Sequence, residues 1–160
     1  MAGIFELRTA KDLYSKLKRD FSAFEKDQLN SDVAFNFFVT AWHLLEWAYP
    51  GDTFTQKKIR DSNVVLQICE HLAVGAKHFK PTSKKHKSVM SSDITGGIWA
   101  KGVWATGIWV KGMWDEKLVV TLDGDAAYQF GEKIYAIDLA EEVMSFWQQL
   151  EPKSSSPDVA

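Results

Sequence analysis

The sequence predicts an α+β fold in which helices dominate. Apolar residues recur at helical spacing through residues 10–79, a Gly-x-Trp motif repeats every five residues over 97–116, and 117–150 combines a β-branched run with an amphipathic segment. We therefore expect an N-terminal three-helix bundle, a pentad segment of turns or short strands, and a short β element followed by a C-terminal helix. Since domains most often hold roughly 100 to 150 residues, 1–150 should form one globular domain, with 151–160 as a disordered tail.

Composition predicts a cytoplasmic protein. Hydrophobic residues make up 46% of the chain and charged residues 25%, which is the balance of a globular protein. Cys69 is the only cysteine, which excludes an intrachain disulfide and a cysteine-built zinc site. The segment Met1–Glu6 lacks the features of a signal peptide, and no run reaches the ~18 apolar residues of a membrane span. We expect no contact with a membrane.

The first helix is predicted from about Ala10 to Gln28. Thr9 is a suitable N-cap because its hydroxyl can accept a hydrogen bond from a free amide of the first turn. Four apolar residues share one face at helical spacing, and they are Leu13, Leu17, Phe21 and Phe24. This face is expected to pack on a core.

The second helix is predicted from Val33 to Tyr49, between a cap at residues 30–32 and a Pro-Gly pair. Its polar side chains gather within about a third of the helix circumference. They are Asp32, Asn36, Thr40, His43 and Glu46. Nearly every other position is apolar, so we expect the helix to be mostly buried, with Phe38 and Trp42 in the core.

A third helix is predicted from Ser62 to Phe79, preceded by a helical turn around Thr55–Arg60 and stopped by Pro81. Its polar positions again gather on one side. They are Asn63, Gln67, Glu70, His71, Lys77 and His78. The polar segment 80–92 that follows is predicted to be a loop.

The clearest pattern is the array of four Gly-x-Trp pentads in residues 97–116. A period of five fits neither regular element, because successive Trp would alternate faces in a strand and step by about 140° in a helix. A square coil with one pentad per side fits the period, and so does a series of tight glycine turns. The period resembles that of pentapeptide-repeat proteins.

The chain after the pentads predicts a strand, a turn and a helix. Leu118–Leu122 is β-branched and ends at an Asp-Gly pair, which favours a tight turn. Residues 126–130 fit either a return strand or one helical turn. Asp138 and Glu141 have capping-box spacing and are predicted to open the last helix. Its core-facing residues are Leu139, Val143, Phe146, Trp147 and Leu150.

Two segments resemble a group of bacterial proteins that has no established activity. The first, residues 35–47, reads FNFFVTAWHLLEW, and the second, residues 68–79, reads ICEHLAVGAKHF. The resemblance extends over residues 118–150. It implies a bacterial or phage origin and supplies no catalytic residue.

The polar stripes of the second and third helices hold the candidate catalytic residues His43, Glu46, His71 and His78. His43 and Glu46 lie one turn apart and could share an ion, whereas the other two histidines lie ~10 Å apart along a helix and could not chelate together. No His-x3-His clamp exists, so we expect no metal and no cofactor. The stripes could equally face solvent or satisfy one another by hydrogen bonds.

Motifs of common enzyme classes are absent from the sequence. Helical nucleases of the HEPN type need an Arg and a His one or two helical turns apart, and no such pair occurs. Glycines spaced by five match neither a nucleophile elbow nor a phosphate-binding loop. We expect a protein that is not an enzyme, with a His-centred enzyme as the alternative.

A basic region precedes and enters the pentads, although the net charge of the chain is −2. Residues 77–117 carry eight lysines against three acids, while 118–160 carries two lysines against eight acids. The candidate binding lysines are Lys84, Lys85 and Lys87 before the pentads and Lys101 and Lys111 between the tryptophans. Cations can hold phosphates while indoles stack on unpaired bases, so a single-stranded nucleic-acid binder is a further alternative.

The pentad tryptophans themselves have two interpretations. They are Trp99, Trp104, Trp109 and Trp114. They could pack on the aromatic side chains of the second helix, which are Phe35, Phe37, Phe38, Trp42 and Trp47, or form an exposed contact patch, since Trp is enriched at interface hot spots. Four indoles are hard to bury in so small a core, so we expect both. The sequence therefore predicts an interaction module whose partner is another protein or, in a homodimer, a second copy.

Overall fold

The computed structural model describes residues 6–77, 89–96 and 116–150. Within these ranges the chain forms a helix-dominated α+β fold, as predicted. The elements in chain order are α1 (Ala10–Lys26), α2 (Ser31–Ala48), α3 (Thr53–Asp61), α4 (Val64–Lys77), β1 (Val89–Gly96), β2 (Glu116–Leu122), α5 (Gly124–Phe130), β3 (Lys133–Tyr135) and α6 (Ala136–Leu150). The predictions for residues 78–88, the pentads over 97–115 and the tail 151–160 lie outside the described residues.

Helix α1 begins where the sequence predicts, because Thr9 and Asp12 form a capping box. The Thr9 hydroxyl accepts from the Asp12 amide at 3.2 Å, and the Asp12 carboxylate accepts from the Thr9 amide at 2.9 Å. The Asp12 carboxylate also accepts from the Thr9 hydroxyl, and this hydrogen bond, followed by those from the Arg8 and Thr9 amides, lowers the pKa of Asp12. Leu13, Leu17 and Phe24 are buried and Phe21 packs beside them, which confirms the predicted face.

Helix α2 begins two residues earlier than predicted, since the Asn30 side chain accepts hydrogen bonds from the amides of Asp32 and Val33. Seven of its 18 residues are buried and five more are partly buried, which agrees with the prediction of a mostly buried helix, although Thr40 of the polar stripe is buried and Phe35 is exposed. The prediction for Phe38 is confirmed at 4% exposure, whereas Trp42 only packs partly buried against the core.

Phenylalanines from α1 and α2 form the centre of the contact between these helices. The Phe37 ring lies 5.8 Å from that of Phe21 and 6.4 Å from that of Phe24, and Phe38 meets Phe24 edge-on at 6.4 Å between centroids. Such tilted and edge-on pairs are favoured by the quadrupole of the rings. Phe37 and Phe38, two of the five α2 rings on which the pentad tryptophans could pack, thus already contact phenylalanines of α1.

The helix predicted from Ser62 corresponds to α4, and the helical turn predicted around Thr55–Arg60 corresponds to α3. Asp52 caps α3 by accepting from the Thr55 amide at 2.9 Å, so the predicted helical turn is a nine-residue helix. Ser62 and Asn63 separate the two helices, and their side chains donate to carbonyl oxygens of the last turn of α3. This competition for the backbone explains why the periodicity does not continue as one helix.

Strand β1 is a correction to the sequence analysis, which predicts a loop as far as residue 92. The strand begins at Val89 and pairs antiparallel with β2 from Ser91 opposite Thr121 to Gly96 opposite Glu116. Among the described residues, β1 is an outer strand of a sheet with the order β1-β2-β3. The partner strand β2 confirms the predicted β-branched run.

The Asp-Gly pair after β2 begins a helix and does not form the predicted hairpin turn. Asp123 caps α5 by accepting from the Gly124 amide at 2.7 Å, and Gly131 ends the helix with φ of +89°, a conformation that favours glycine. The ambiguous residues 126–130 are therefore helical. Strand β3, which the sequence analysis does not predict, then pairs with β2 through Val120 opposite Ile134.

Helix α6 begins at Ala136, so the capping-box prediction for Asp138 and Glu141 is wrong: Asp138 already lies in the first turn. The chain passes directly from Tyr135 of β3 into the helix. The predicted face is confirmed, since Leu139, Val143 and Trp147 are fully buried and Phe146 and Leu150 pack beside them.

Substitutions within α2 test this description of the core. We expect Phe37→Ala to lower the free energy of unfolding by about 3 to 5 kcal/mol, because it leaves a cavity among the α1 phenylalanines. Phe35→Ala is the matched control on the same helix, where the ring is 44% exposed, and should cost less than about 1 kcal/mol. Urea titration measures both. Equal losses would contradict the orientation of α2.

Candidate functional site

Strands β1 and β2 hold the two ends of the pentad segment side by side. Gly96 and Glu116 are paired opposite each other, and the register is regular from there to Ser91 and Thr121. Because paired residues of antiparallel strands have Cα atoms roughly 4.5–5.5 Å apart, the positions at which residues 97–115 begin and end lie next to each other. The candidate contact residues between these ends are Trp99, Trp104, Trp109, Trp114, Lys101 and Lys111, all outside the described residues.

The base of this segment is rooted in the core through β2. Leu118, Val120 and Leu122 point into the hydrophobic core, and Val119 is buried on the other face of the strand. β2 is paired on one edge with β1 and on the other with β3. The lysines of the preceding segment, Lys84, Lys85 and Lys87, lie with His78 outside the described residues, between the end of α4 and the start of β1.

His43 and Glu46 contact each other on the surface of α2. His43 Nδ1 lies 3.3 Å from a Glu46 carboxylate oxygen, and the two side chains are 51% and 55% exposed. At such exposure water screens the charges, and the pair contributes little to stability. The i,i+3 spacing that the sequence analysis noted is therefore a solvated contact.

His71 has a different environment on α4, where it is buried with 7% exposure. Its Nδ1 atom accepts a hydrogen bond from the Val89 amide at 3.1 Å. One nitrogen of the ring is thus committed to the backbone of β1. His43 and His71 share a predicted polar side of the helices, but one is at the surface and the other faces the sheet.

A metal centre gains no support from the described residues. Nowhere in residues 6–77, 89–96 and 116–150 do three side chains of His, Cys, Asp or Glu gather closely enough to hold an ion. Cys69 lies on α4 with no exposure, and burial raises the pKa of its thiol well above the ordinary value. The thiol therefore stays protonated at neutral pH and is a poor nucleophile.

The structure brings together one polar cluster that the sequence analysis did not predict. Lys16 donates to the Thr40 hydroxyl at 2.9 Å, and that hydroxyl donates to Asp20 at 2.8 Å, while Lys16 also pairs with Asp20. Thr40 is 6% exposed, so the hydroxyl has its partners inside the contact between α1 and α2. The sequence signals were the i,i+4 spacing of Lys16 and Asp20 and a lone Thr among apolar residues.

A second cluster holds α3 against α4. Arg60 Nε lies 2.8 Å from Glu70, and Arg60 also pairs with Asp61, which pairs in turn with Lys57. Burial opposes the charge of Arg60, but the hydrogen bonds and charge of Glu70 raise its pKa above the ordinary value. Hydrogen bonds from Lys57 and Arg60 lower the pKa of Asp61. Glu70, a member of the predicted stripe, thus has a structural contact.

The cluster of Lys16, Asp20 and Thr40 makes a testable prediction. Thr40→Val removes the hydroxyl without changing the shape of the side chain, and should cost about 1 to 3 kcal/mol of unfolding free energy because two buried hydrogen bonds are lost. Thr53→Val, at an exposed position of α3, is the control and should stay within ~0.5 kcal/mol. A cycle with Lys16→Met should show coupling of about 0.5 kcal/mol or more. Purely additive effects would contradict the cluster.

Comparison with known proteins does not assign a function to the chain. No helix in the described part of the chain is both long and apolar enough to cross a bilayer. No protein-family model, curated protein or solved structure matches the chain.

Proposed function

We propose that this chain is a non-enzymatic protein-interaction module whose contact surface is the pentad segment, and whose partner is another protein or a second copy of the chain. The observation that supports this most directly is the pairing of Gly96 with Glu116. It makes residues 97–115 one segment presented from one place. Loops held by a rigid scaffold are where binding residues are most often found.

The scaffold beneath the segment supports the proposal. β2 leads out of the segment directly into buried positions, with Leu118 at 8% exposure and Val120 at 2%. β1 pairs with the strand from Glu116 onwards and β3 pairs with residues 119–121, so the strand is held in the sheet. A binding segment with a fixed base loses less conformational entropy on association than one joined by free linkers.

The use of aromatic side chains in α2 also favours contact with a partner. Phe37 and Phe38 already meet phenylalanines of α1, and these two are among the five rings to which the pentad tryptophans could pack. Phe35, Trp42 and Trp47 are the remaining rings. A smaller aromatic surface on α2 accommodates fewer indoles, which leaves more of them for a partner. Trp is the side chain most enriched at interface hot spots.

The described histidines favour a binding role over catalysis. A His-centred enzyme would need His43, Glu46 and His71 to converge on a substrate with free nitrogen atoms. His43 instead contacts Glu46 at the surface, and His71 Nδ1 accepts the Val89 amide. The same residues thus fit the alternative in which the stripes satisfy one another or face solvent.

Individual alanine variants of the four pentad tryptophans test the proposal. Their five-residue spacing directs the rings differently, so we expect some variants to lower stability and others to keep wild-type stability while weakening association by about tenfold or more. Sedimentation velocity measures association with a second copy, and pull-down from the native host followed by titration of the identified protein measures association with another protein. Urea titration gives the stability of each variant.

Two exposed aromatic residues outside the segment are the controls. Phe54 and Tyr128 are 77% and 95% exposed, and their alanine variants should change neither stability nor association. If all four tryptophan variants unfold alike and none alters association, the segment serves only the core and the interaction module is rejected.

A titration with single-stranded nucleic acid tests the remaining alternative, in which the chain is a nucleic-acid binder. Single-stranded oligonucleotide binding that weakens steeply with salt, and that is lost on substituting Lys84, Lys85 and Lys87 together, would assign the basic segment to phosphate contacts and contradict a protein partner. The proposed module predicts no such binding at physiological salt.

A further inference from the structure

The hydrogen bond between His71 and Val89 joins the helices to the outer strand of the sheet. His71 lies on α4 and Val89 is the first residue of β1, 18 positions further along the chain. The donor is the backbone amide and the acceptor is His71 Nδ1, at 3.1 Å. A side chain that is 7% exposed thereby fixes the beginning of an edge strand.

The Val89 amide is available to His71 because of the register of the sheet. Val89 is paired with Leu122, beyond an irregularity that separates it from the regular pairs starting at Ser91. Leu122 donates its own amide to the Glu132 carbonyl at 2.8 Å, on the side of β3. In an antiparallel ladder, the two residues of a non-hydrogen-bonded pair both direct their amides away from each other. The Val89 amide therefore points away from β2, and it donates a hydrogen bond to the His71 imidazole.

The direction of the bond determines the protonation state of the ring. An amide N–H can only donate, so Nδ1 must carry a lone pair and the imidazole must be neutral, with its proton on Nε2. Protonation of Nδ1 would place two N–H groups against each other and a positive charge in a buried site. Histidine is the side chain whose ordinary titration, near pH 6.5, falls in the range where this change occurs.

We propose that His71 is a pH-sensitive latch, which holds the first residue of β1 against α4 when the imidazole is neutral and releases it when the imidazole is protonated. The latch concerns the attachment of β1 and is independent of the proposed function. The direction of the pH dependence follows from proton binding. In the open state, without the His71–Val89 hydrogen bond, the imidazole takes up a proton that the closed state excludes. Acidification below about pH 6.5 therefore favours the open state.

The other charged groups near α4 have environments of their own. On the elements that pack against it, the charged side chains of α2, α5 and α6 are exposed, namely Asp32, Glu46, Asp125, Asp138, Glu141 and Glu142, as is His43. On α3, Lys57 and Asp61 pair with each other and Lys58 is exposed, while Arg60 pairs with Glu70 of α4. On β1, Asp93 is opposite Val119 in the ladder. Of these groups, the buried His71 imidazole is the one that contacts the Val89 amide.

Amide hydrogen exchange of the full chain, followed by NMR from about pH 5 to pH 8, tests the latch. Protection factors remove the chemical pH dependence of exchange. We expect the protection of the Val89 amide to be constant above about pH 6.5 and to fall by about tenfold per pH unit below it, as one proton is taken up on opening. Amides of the regular β1–β2 pairs, such as Ile94, report whether the whole hairpin opens as well.

His71→Asn is the informative variant, because its side-chain oxygen lies near the position of Nδ1 and accepts a hydrogen bond without titrating. Val89 should keep its protection across the pH range in this variant. His43→Asn is the matched control and should retain the wild-type pH profile, since His43 is exposed on α2. The latch is overturned if His71→Asn shows the same acid loss as the wild type.

The pH dependence of Val89 protection in the wild-type protein also tests the latch without any variant. Constant Val89 protection across the pH range would overturn the latch even if His71→Asn did not fold. Titration of the His71 imidazole nitrogens, read from their chemical shifts in the same samples, should have its midpoint below about pH 6.5, where acid has removed most of the Val89 protection. A His71 imidazole that becomes protonated while Val89 keeps its full protection would equally overturn the latch.

Discussion

Strand β2 is paired along both edges and buried at most of its positions, and the placement of β1, β3 and the pentad segment follows from it. A strand covered on both faces must be largely apolar, and the run from Leu118 to Leu122 meets that requirement. Its pairing with β1 fixes where the pentads begin and end. Its pairing with β3 leads directly into α6, whose Trp147 and Val143 complete the core beside α1 and α2.

The helices could be predicted from the sequence where a local contact determines them. Thr9 and Asp12 stand at capping-box spacing, and the structure forms that box. The capping box predicted at Asp138 failed because α6 continues from β3 without a break, which depends on a strand pairing distant in sequence. Strand β1 was missed for the same reason: its polar residues become a strand only because β2 offers its edge.

The residue types of the candidate site could be predicted from the sequence better than the surroundings of each side chain. Helical periodicity placed Thr40 and His71 on polar stripes, but it gives only the direction of a side chain and not what lies there. Thr40 points at Lys16 and Asp20, which are 24 and 20 residues away along the chain, and His71 points at the start of β1. Both are buried because these partners replace water. His43 and Glu46 contact each other at the surface, which fits the interpretation in which the stripes face solvent or satisfy one another.

The closed base of the pentad segment has a consequence for how the chain can vary. For a segment whose ends are held together, each doubling of its length adds only about 0.6 kcal/mol of closure entropy. A pentad gained or lost between Gly96 and Glu116 would leave the residues that pair in β1 and β2 the same. Duplication or deletion of 15 nucleotides at a time can therefore alter the number of Gly-x-Trp units at little cost in closure entropy.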